Sequence, residues 1–457
     1  MQDSRQLYSK YLAVVLIAVQ FSFDSCVYLS SVVHYIQNSG ASNPDIFLFV
    51  MQAVSAAVQI LVSLIIGNIA EWVGSIKWVI VFLYFLSFVG NFLYSCGGAI
   101  SLNAILGGRI ICGAASASGA LVFSYITAIT QDRATVFKLL AIYRTSAGIF
   151  MSVAQLIVIL FGFCNFDVKG YRINSYNAPT FASSFIILVI LVLLIVILEN
   201  PKVKETRQHG FSEAIRKFFG AKTQVLISCL ILLWSMFLSS FIMCEVIYFM
   251  PIFLTLHLNW GTKIQGLALM VATLLGTAGS YFAPKLVHLR TFSSSAKETT
   301  EIESGITEAE QMEKQIETDN RDPLYENQVL LSLLALLISM VGQAFMIGAS
   351  EALKHGSMPP TNSGIFFVAG LSITMLGYNI LASAIPSIFS LYIDSNVKVR
   401  LMPSVGAIAG VGKLVAPIIL AALYNTRFGL SIGVGFGMML VTLSLPQVIW
   451  LKKKGVE

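Results

Sequence analysis

Residues 46–97 read IFLFVMQAVSAAVQILVSLIIG (46–67), NIAEWVGSIK (68–77) and WVIVFLYFLSFVGNFLYSCG (78–97). Neither flanking run contains Asp, Glu, Lys or Arg, and each reaches the ~20 residues that an α-helix needs to cross a hydrocarbon core of about 30 Å. A membrane β-barrel would show segments of about ten residues with alternating polarity. These runs are continuous, so the short polar link joins two membrane-spanning helices of opposite direction.

The pattern extends along the whole chain. Of its 457 residues, 56% are hydrophobic and 11% charged, against roughly 25% charged in soluble domains. Apolar stretches occupy 11–36, 46–67, 78–97, 101–129, 136–162, 179–198, 223–249, 264–284, 328–349, 364–392, 403–424 and 429–450. The predicted fold class is an all-α polytopic membrane protein, with twelve transmembrane helices in two six-helix bundles. The first stretch is too long for the apolar region of a signal peptide and carries Asp24 at its centre, which keeps it as a helix. The expected units are an N-terminal bundle 1–198, a cytosolic linker 199–222 and a C-terminal bundle 223–457, the arrangement of two parallel repeats with substrate between them. In the linker, Phe211, Ile215, Phe218 and Phe219 recur at helical spacing beside Arg216, Lys217 and Lys222. That reads as an amphipathic helix lying among lipid headgroups. Residues 293–322 are polar and acidic, lack an apolar stripe and are expected to be disordered. They form a passive cytosolic loop or a docking segment for a cytosolic partner.

Basic residues mark one side of the membrane. With the N-terminus in the cytosol, Arg5, Lys10, Lys77, Arg133, Lys138, Lys398, Arg400, Lys452 to Lys454 and the basic residues of 199–222 and 285–327 fall on that side. The other side has Lys169, Arg172, Lys263, Lys354 and Arg427. By the positive-inside rule both termini are expected in the cytosol. The net charge of +6 is thus a matter of topology and does not indicate nucleic acid as a partner. Cys26, Cys96, Cys112, Cys164, Cys229 and Cys244 show no metal-ligand spacing, so no metal or other cofactor is expected. They read as small packing residues, although Cys96 and Cys164 fall toward one surface, where pairing is an alternative. No Asn-x-Ser/Thr glycosylation acceptor occurs.

The link quoted first has the spacing Gly67, Glu71, Gly74, Lys77. Glycines allow a tight reversal and close helix approach, and a carboxylate can engage a neighbouring helix N-terminus. This GxxxExxGxxK pattern resembles the signature loop of the major facilitator superfamily. The resemblance implies a conformational gating loop in which Glu71 braces the start of the eleventh span near Pro403 and Ser404 when the cytosolic side closes. The family usually has Asp where this chain has Glu71. Arg109 and Gly113, followed by the small residues 114–119, resemble the family's RxxxG element in the fourth span. Ser146-Ala147-Gly148 lacks the proline of the drug/proton antiporter branch. At finer grain, 125–130 with Asp132-Arg133, and 174–185 (NSYNAPTFASSF), resemble the lysosomal branch associated with ceroid lipofuscinosis. That resemblance implies a lysosomal or endosomal membrane; the plasma membrane is the alternative.

An ionisable residue inside the membrane costs at least about 2.5–3.5 kcal/mol and calls for a reason. Asp24 has Gln20 and Tyr28 one turn to either side on its own face. The family resemblance places Asp24 and Arg109 across one central cavity. Asp24 is then expected to exchange a proton or contact substrate, and Arg109 to be its partner or an anion ligand; a static buried pair is the other reading. Glu245 lies in the seventh span shortly before Pro251, a residue that breaks helix ends. Lys413, among the glycines of the eleventh span, is expected to face the interior and to meet a carboxylate, a substrate anion or backbone carbonyls. Arg144 is expected to snorkel toward the membrane surface. Thr374, Tyr378 and Asn379 in the tenth span are expected either to bond a solute or to pack between helices. His34 and His257 fall near the non-cytosolic ends of their spans, where an acidic compartment would charge them.

Together these features point to a secondary active transporter of a small solute, working by alternating access, with Asp24 and Glu245 as proton-coupling groups. An anion conductance through the same cavity and a non-transporting scaffold are the alternatives. No nucleophile–base or metal constellation stands in the loops, so no enzyme activity is expected.

Overall fold

The computed structural model describes residues 2–130, 132–168, 171–201, 223–302, 323–393 and 401–424, together with Ser444. The first span is split into α1 (Gln2–Cys26) and α2 (Val32–Asn38), followed by α3 (Pro44–Val73) and α4 (Ile76–Ile100). The fourth span is split as well, into α5 (Leu102–Ala115) and α6 (Ser118–Ile129), before α7 (Arg133–Phe161). An antiparallel hairpin, β1 (Asn165–Val168) and β2 (Tyr171–Asn174), leads into α8 (Ala178–Ile197). The second half has α9 (Thr223–Ile252), a π-turn at Phe253–His257, α10 (Thr262–Ile302), α11 (Pro323–Lys354), α12 (Pro360–Tyr392) and α13 (Pro403–Tyr424).

Ten of the described spans are long and apolar enough to cross a membrane, α5 and α6 counting as one, and Pro403–Ile419 is a shorter apolar helix. The expected twelfth span, 429–450, lies outside the described residues apart from Ser444, as do the linker residues 202–222 and the loop residues 303–322. In the expected disordered stretch, 293–302 instead continues α10 as helix.

Local chemistry sets the turns. Gly74 ends α3 with φ +70°, a left-handed conformation that glycine adopts without strain. Ser75 then starts α4 by accepting a hydrogen bond from the Trp78 amide on its side chain. Two residues thus reverse the chain between α3 and α4, as the glycine spacing implied. The hairpin was not anticipated. Its exit is held by Asn174 and Asn177: the Asn174 side-chain oxygen accepts from the Tyr176 and Asn177 amides, and that of Asn177 accepts from the Asn174 amide. Ser31 donates to the Tyr176 carbonyl and His34 stacks on the Tyr176 ring at 5.8 Å, which docks this segment on α2.

In the first half α4 packs on α5 and α8, α1 on α7, and α3 on α5; in the second, α12 packs on α11, α10 and α9, and α9 on α13. The halves meet along α7–α10 and α3–α13. Small residues make both seams. On the first, Thr145 and Ser280 bond at 3.1 Å and Ser152 and Thr273 at 2.9 Å, while Gly148 lies against Thr277. On the second, Gly410 lies against Ile60, and Gly406 of α13 meets Ala120 of α6. With lipid as solvent such seams rest on close packing and hydroxyl bonds, since lipid tails give apolar side chains no reason to pair.

Candidate functional site

The two split spans cross inside the first half, and each caps the break in the other. Helix α1 stops at Cys26, and in the turn beyond it Leu29 and Ser31 bond back only three residues. The Asp24 carbonyl is taken by Arg109 Nη2 of α5 at 3.0 Å, and the Cys26 carbonyl by the Gln155 amide of α7 at 2.5 Å. In the fourth span the Gly119 amide turns to Ser116, and Gln20 Nε2 of α1 takes the Ala115 carbonyl at 3.0 Å. Non-helical backbone survives at membrane depth only where protein or a cavity satisfies it, and these side chains do so.

Asp24 is 2% exposed. Both its carboxylate oxygens lie 2.8 Å from the Ser87 hydroxyl, which donates to them, and Asn91 Nδ2 donates to Oδ1 at 2.5 Å. Among the described residues no ion pair joins it to Arg109. The expected pair therefore does meet, but through the Asp24 main chain. The Arg109 guanidinium lies over the Tyr28 ring at 3.9 Å, a cation–π contact, and Tyr28 accepts from Gln52 Nε2 at 2.5 Å. Arg109 is 4% exposed, and its Nε and Nη1 have no hydrogen-bond partner among the described residues.

These groups border a central cavity of about 60 Å³ whose walls come from both halves: Asp24, Tyr28 and Arg109 on one side, Tyr378 and Lys413 on the other. A water needs roughly 10–15 Å³ of such space, so in this conformation the cavity has room for a few waters and for no larger solute. Lys413 faces the interior, but among the described residues it meets a side-chain amide and neither a carboxylate nor a backbone carbonyl. Its ammonium reaches Gln59 Oε1 at 3.4 Å and lies 5.2 Å from the Phe21 ring centre. Helix α3 supplies wall residues that the sequence reading passed over: Gln52, Ser55 and Gln59. Their spacing of three and four residues within an apolar span was a legible polar stripe.

One expectation is corrected, and for Thr374 the structure favours the packing reading over the solute one. Arg144 does not snorkel: it is 6% exposed, with its guanidinium 5.5–5.9 Å from the rings of Phe21, Phe123 and Tyr143. Those rings cluster beside the cavity and hold the cation there. Thr374 does not border the cavity; its hydroxyl bonds the Gly370 carbonyl of its own helix at 2.9 Å and lies against Gly342 of α11. Gln20 serves the helix break and Asn379 sits beside Gly276 of α10. Glu245 belongs to α9, which runs through Pro251 to Ile252 before the π-turn, so the irregularity follows the proline. Its side chain lies outside the described residues. Gly67, Glu71, Gly74 and Lys77 sit at the α3–α4 turn with Glu71 half-buried. The cysteines are free thiols, Cys96 and Cys164 included. His257 is exposed.

No family model matches the chain. The MFS-type transporter PUL3 of Kluyveromyces lactis is 62% identical over 454 residues, covering 99% of this chain and 98% of that protein. An uncharacterized membrane protein of Saccharomyces cerevisiae is 64% identical over 327 residues, 71% of this chain and 99% of its own length. Among solved structures, the human organic anion transporter MFSD10 is similar with a TM-score of 0.69 at 12% identity, over 96% of this chain and 99% of that one. The proton:xylose symporter XylE has a TM-score of 0.68 at 13% identity, over 99% and 97% of the two chains. These last two likenesses are likenesses of fold.

Proposed function

The chain belongs to the major facilitator superfamily of transporters, and we propose that Asp24 takes up and releases the proton that drives its transport. It is a multi-pass secondary transporter of a small solute, working by alternating access, and not an enzyme. The observation that carries the proton reading is the environment of Asp24. Asp24 is one of the residues that border the central cavity, and its carboxyl group is held by a hydroxyl and an amide. A serine hydroxyl donates to a carboxylate and accepts from a carboxylic acid, so the Ser87 contact serves both protonation states without rearrangement. A fixed ion pair would hold the group in one state.

The test is solute accumulation in proteoliposomes under an imposed pH gradient, compared with solute counterflow without a gradient. Asp24→Asn should abolish the first and keep the second. Proton-driven accumulation that persists in Asp24→Asn would remove the reading.

Three further assignments belong to the same proposal. Glu71 braces the start of α13 when the side carrying the α3–α4 turn closes; the packing of α3 along α13 supports this. The two halves 1–198 and 223–457 are the moving bodies, with both termini in the cytosol, as the distribution of basic residues indicates. The branch resemblance at 125–130 and 174–185 assigns the chain to a lysosomal or endosomal membrane, and imaging of a tagged chain separates that from the plasma membrane.

A further inference from the structure

The central cavity carries more positive charge than its described neighbours balance. Its described charged side chains are Asp24, Arg109 and Lys413, and both Asp24 oxygens are engaged by Ser87 and Asn91. Arg109 keeps two buried nitrogens without an acceptor among the described residues. The Lys413 ammonium has three donors and one acceptor among the described residues, Gln59 at 3.4 Å. A third cation stands behind the wall: Arg144 Cζ lies 5.6 Å from the centre of the Phe21 ring, and Lys413 Nζ lies 5.2 Å from the same centre. Buried cations with unused donors are costly unless an acceptor of opposite charge meets them. Beside the polar stripe of α3, the wall also carries the apolar, polarisable side chains of Phe21, Tyr28, Met151 and Met243, surfaces that suit a flat or greasy body.

We propose that the cargo is an organic anion, its carboxylate or equivalent oxyanion taken by Arg109 and Lys413 and its apolar body laid against Phe21, Tyr28 and the two methionines. This rests on the transport reading, since it assigns cargo to that cavity. The cavity in this conformation is too small for such a body, so the anion enters when the walls move apart.

The test uses the full chain in lipid nanodiscs at fixed pH without a gradient, and three probes of one shape: naphthoate, the neutral naphthamide and the naphthylmethylammonium cation. Naphthoate should raise the unfolding temperature saturably, and the amide and the ammonium should not. Lys413→Gln should weaken the apparent naphthoate Kd about tenfold, as loss of one charge-assisted hydrogen bond implies. Arg109 also caps α1, so Arg144→Gln, which leaves that cap intact, is the second arm and should weaken naphthoate binding as well. An equal response to the amide, no response to naphthoate, or a Kd unmoved in both variants would each overturn the proposal. Because no proton gradient enters, this result and the Asp24→Asn result fail independently.

Discussion

Arg109 donates to the main-chain carbonyl of Asp24 at 3.0 Å, while the carboxylate of that residue faces Ser87 and Asn91. The cation therefore serves the fold of the first span and keeps two buried nitrogens without an acceptor among the described residues. One residue joins the break in α1 to the site beside it.

The reciprocal cap sets the first prediction. Gln20→Leu leaves the Ala115 carbonyl buried without a donor, a loss of about 1–3 kcal/mol. Thermal unfolding in detergent should move down accordingly. An unchanged midpoint would mean that the break in the fourth span does not depend on Gln20.

The seams between helices give a contrast. A methyl group at Gly148 would run into the Thr277 hydroxyl, whereas one at Gly113 would run into the Ser55 main-chain carbonyl. Each alanine substitution should destabilise by about 1–3 kcal/mol. Thr277→Ala should restore much of the loss in Gly148→Ala, because the obstacle is a side chain. No side-chain substitution at Ser55 should rescue Gly113→Ala to the same degree. Unfolding midpoints of the single and double variants read both statements.

The α3–α4 turn offers a third. Gly74 has φ +70° and open space around its α-carbon, so Gly74→Ala should cost about 1–2 kcal/mol from backbone strain alone. Gly74→Asn should cost less, since Asn tolerates that conformation. Equal unfolding midpoints for the two variants would count against the strain account.

Arg144 gives the fourth. With its guanidinium surrounded by Phe21, Phe123 and Tyr143, Arg144→Leu should leave membrane insertion intact and reduce solute flux at least about tenfold, the scale of one charge-assisted contact. Flux at the level of the parent chain would return Arg144 to a purely structural role.

The described spans and the α3–α4 reversal were legible because they are local. Continuous apolar length reports the solvent, and a glycine at the right place reports a left-handed turn. The interior position of Lys413 was legible too, since a lysine amid glycines at span centre has no path to water. The splits at Val27–Ser31 and Ser116–Ala117 were not, because neither contains proline or glycine. They persist only because Arg109, Gln155 and Gln20 arrive from other helices to take the freed carbonyls.

The sequence by itself determined that this protein lives in a bilayer as a bundle of helices, and that Asp24, Arg109 and Lys413 lie where charge is expensive. Only the tertiary structure decided what each charge meets. Arg109 binds a main-chain oxygen, Arg144 turns inward to an aromatic cluster, and Thr374 turns away toward α11. The physical reason is that hydropathy is summed along the chain, whereas a buried donor is satisfied across it, by whichever carbonyl or ring the crossing of helices brings within reach.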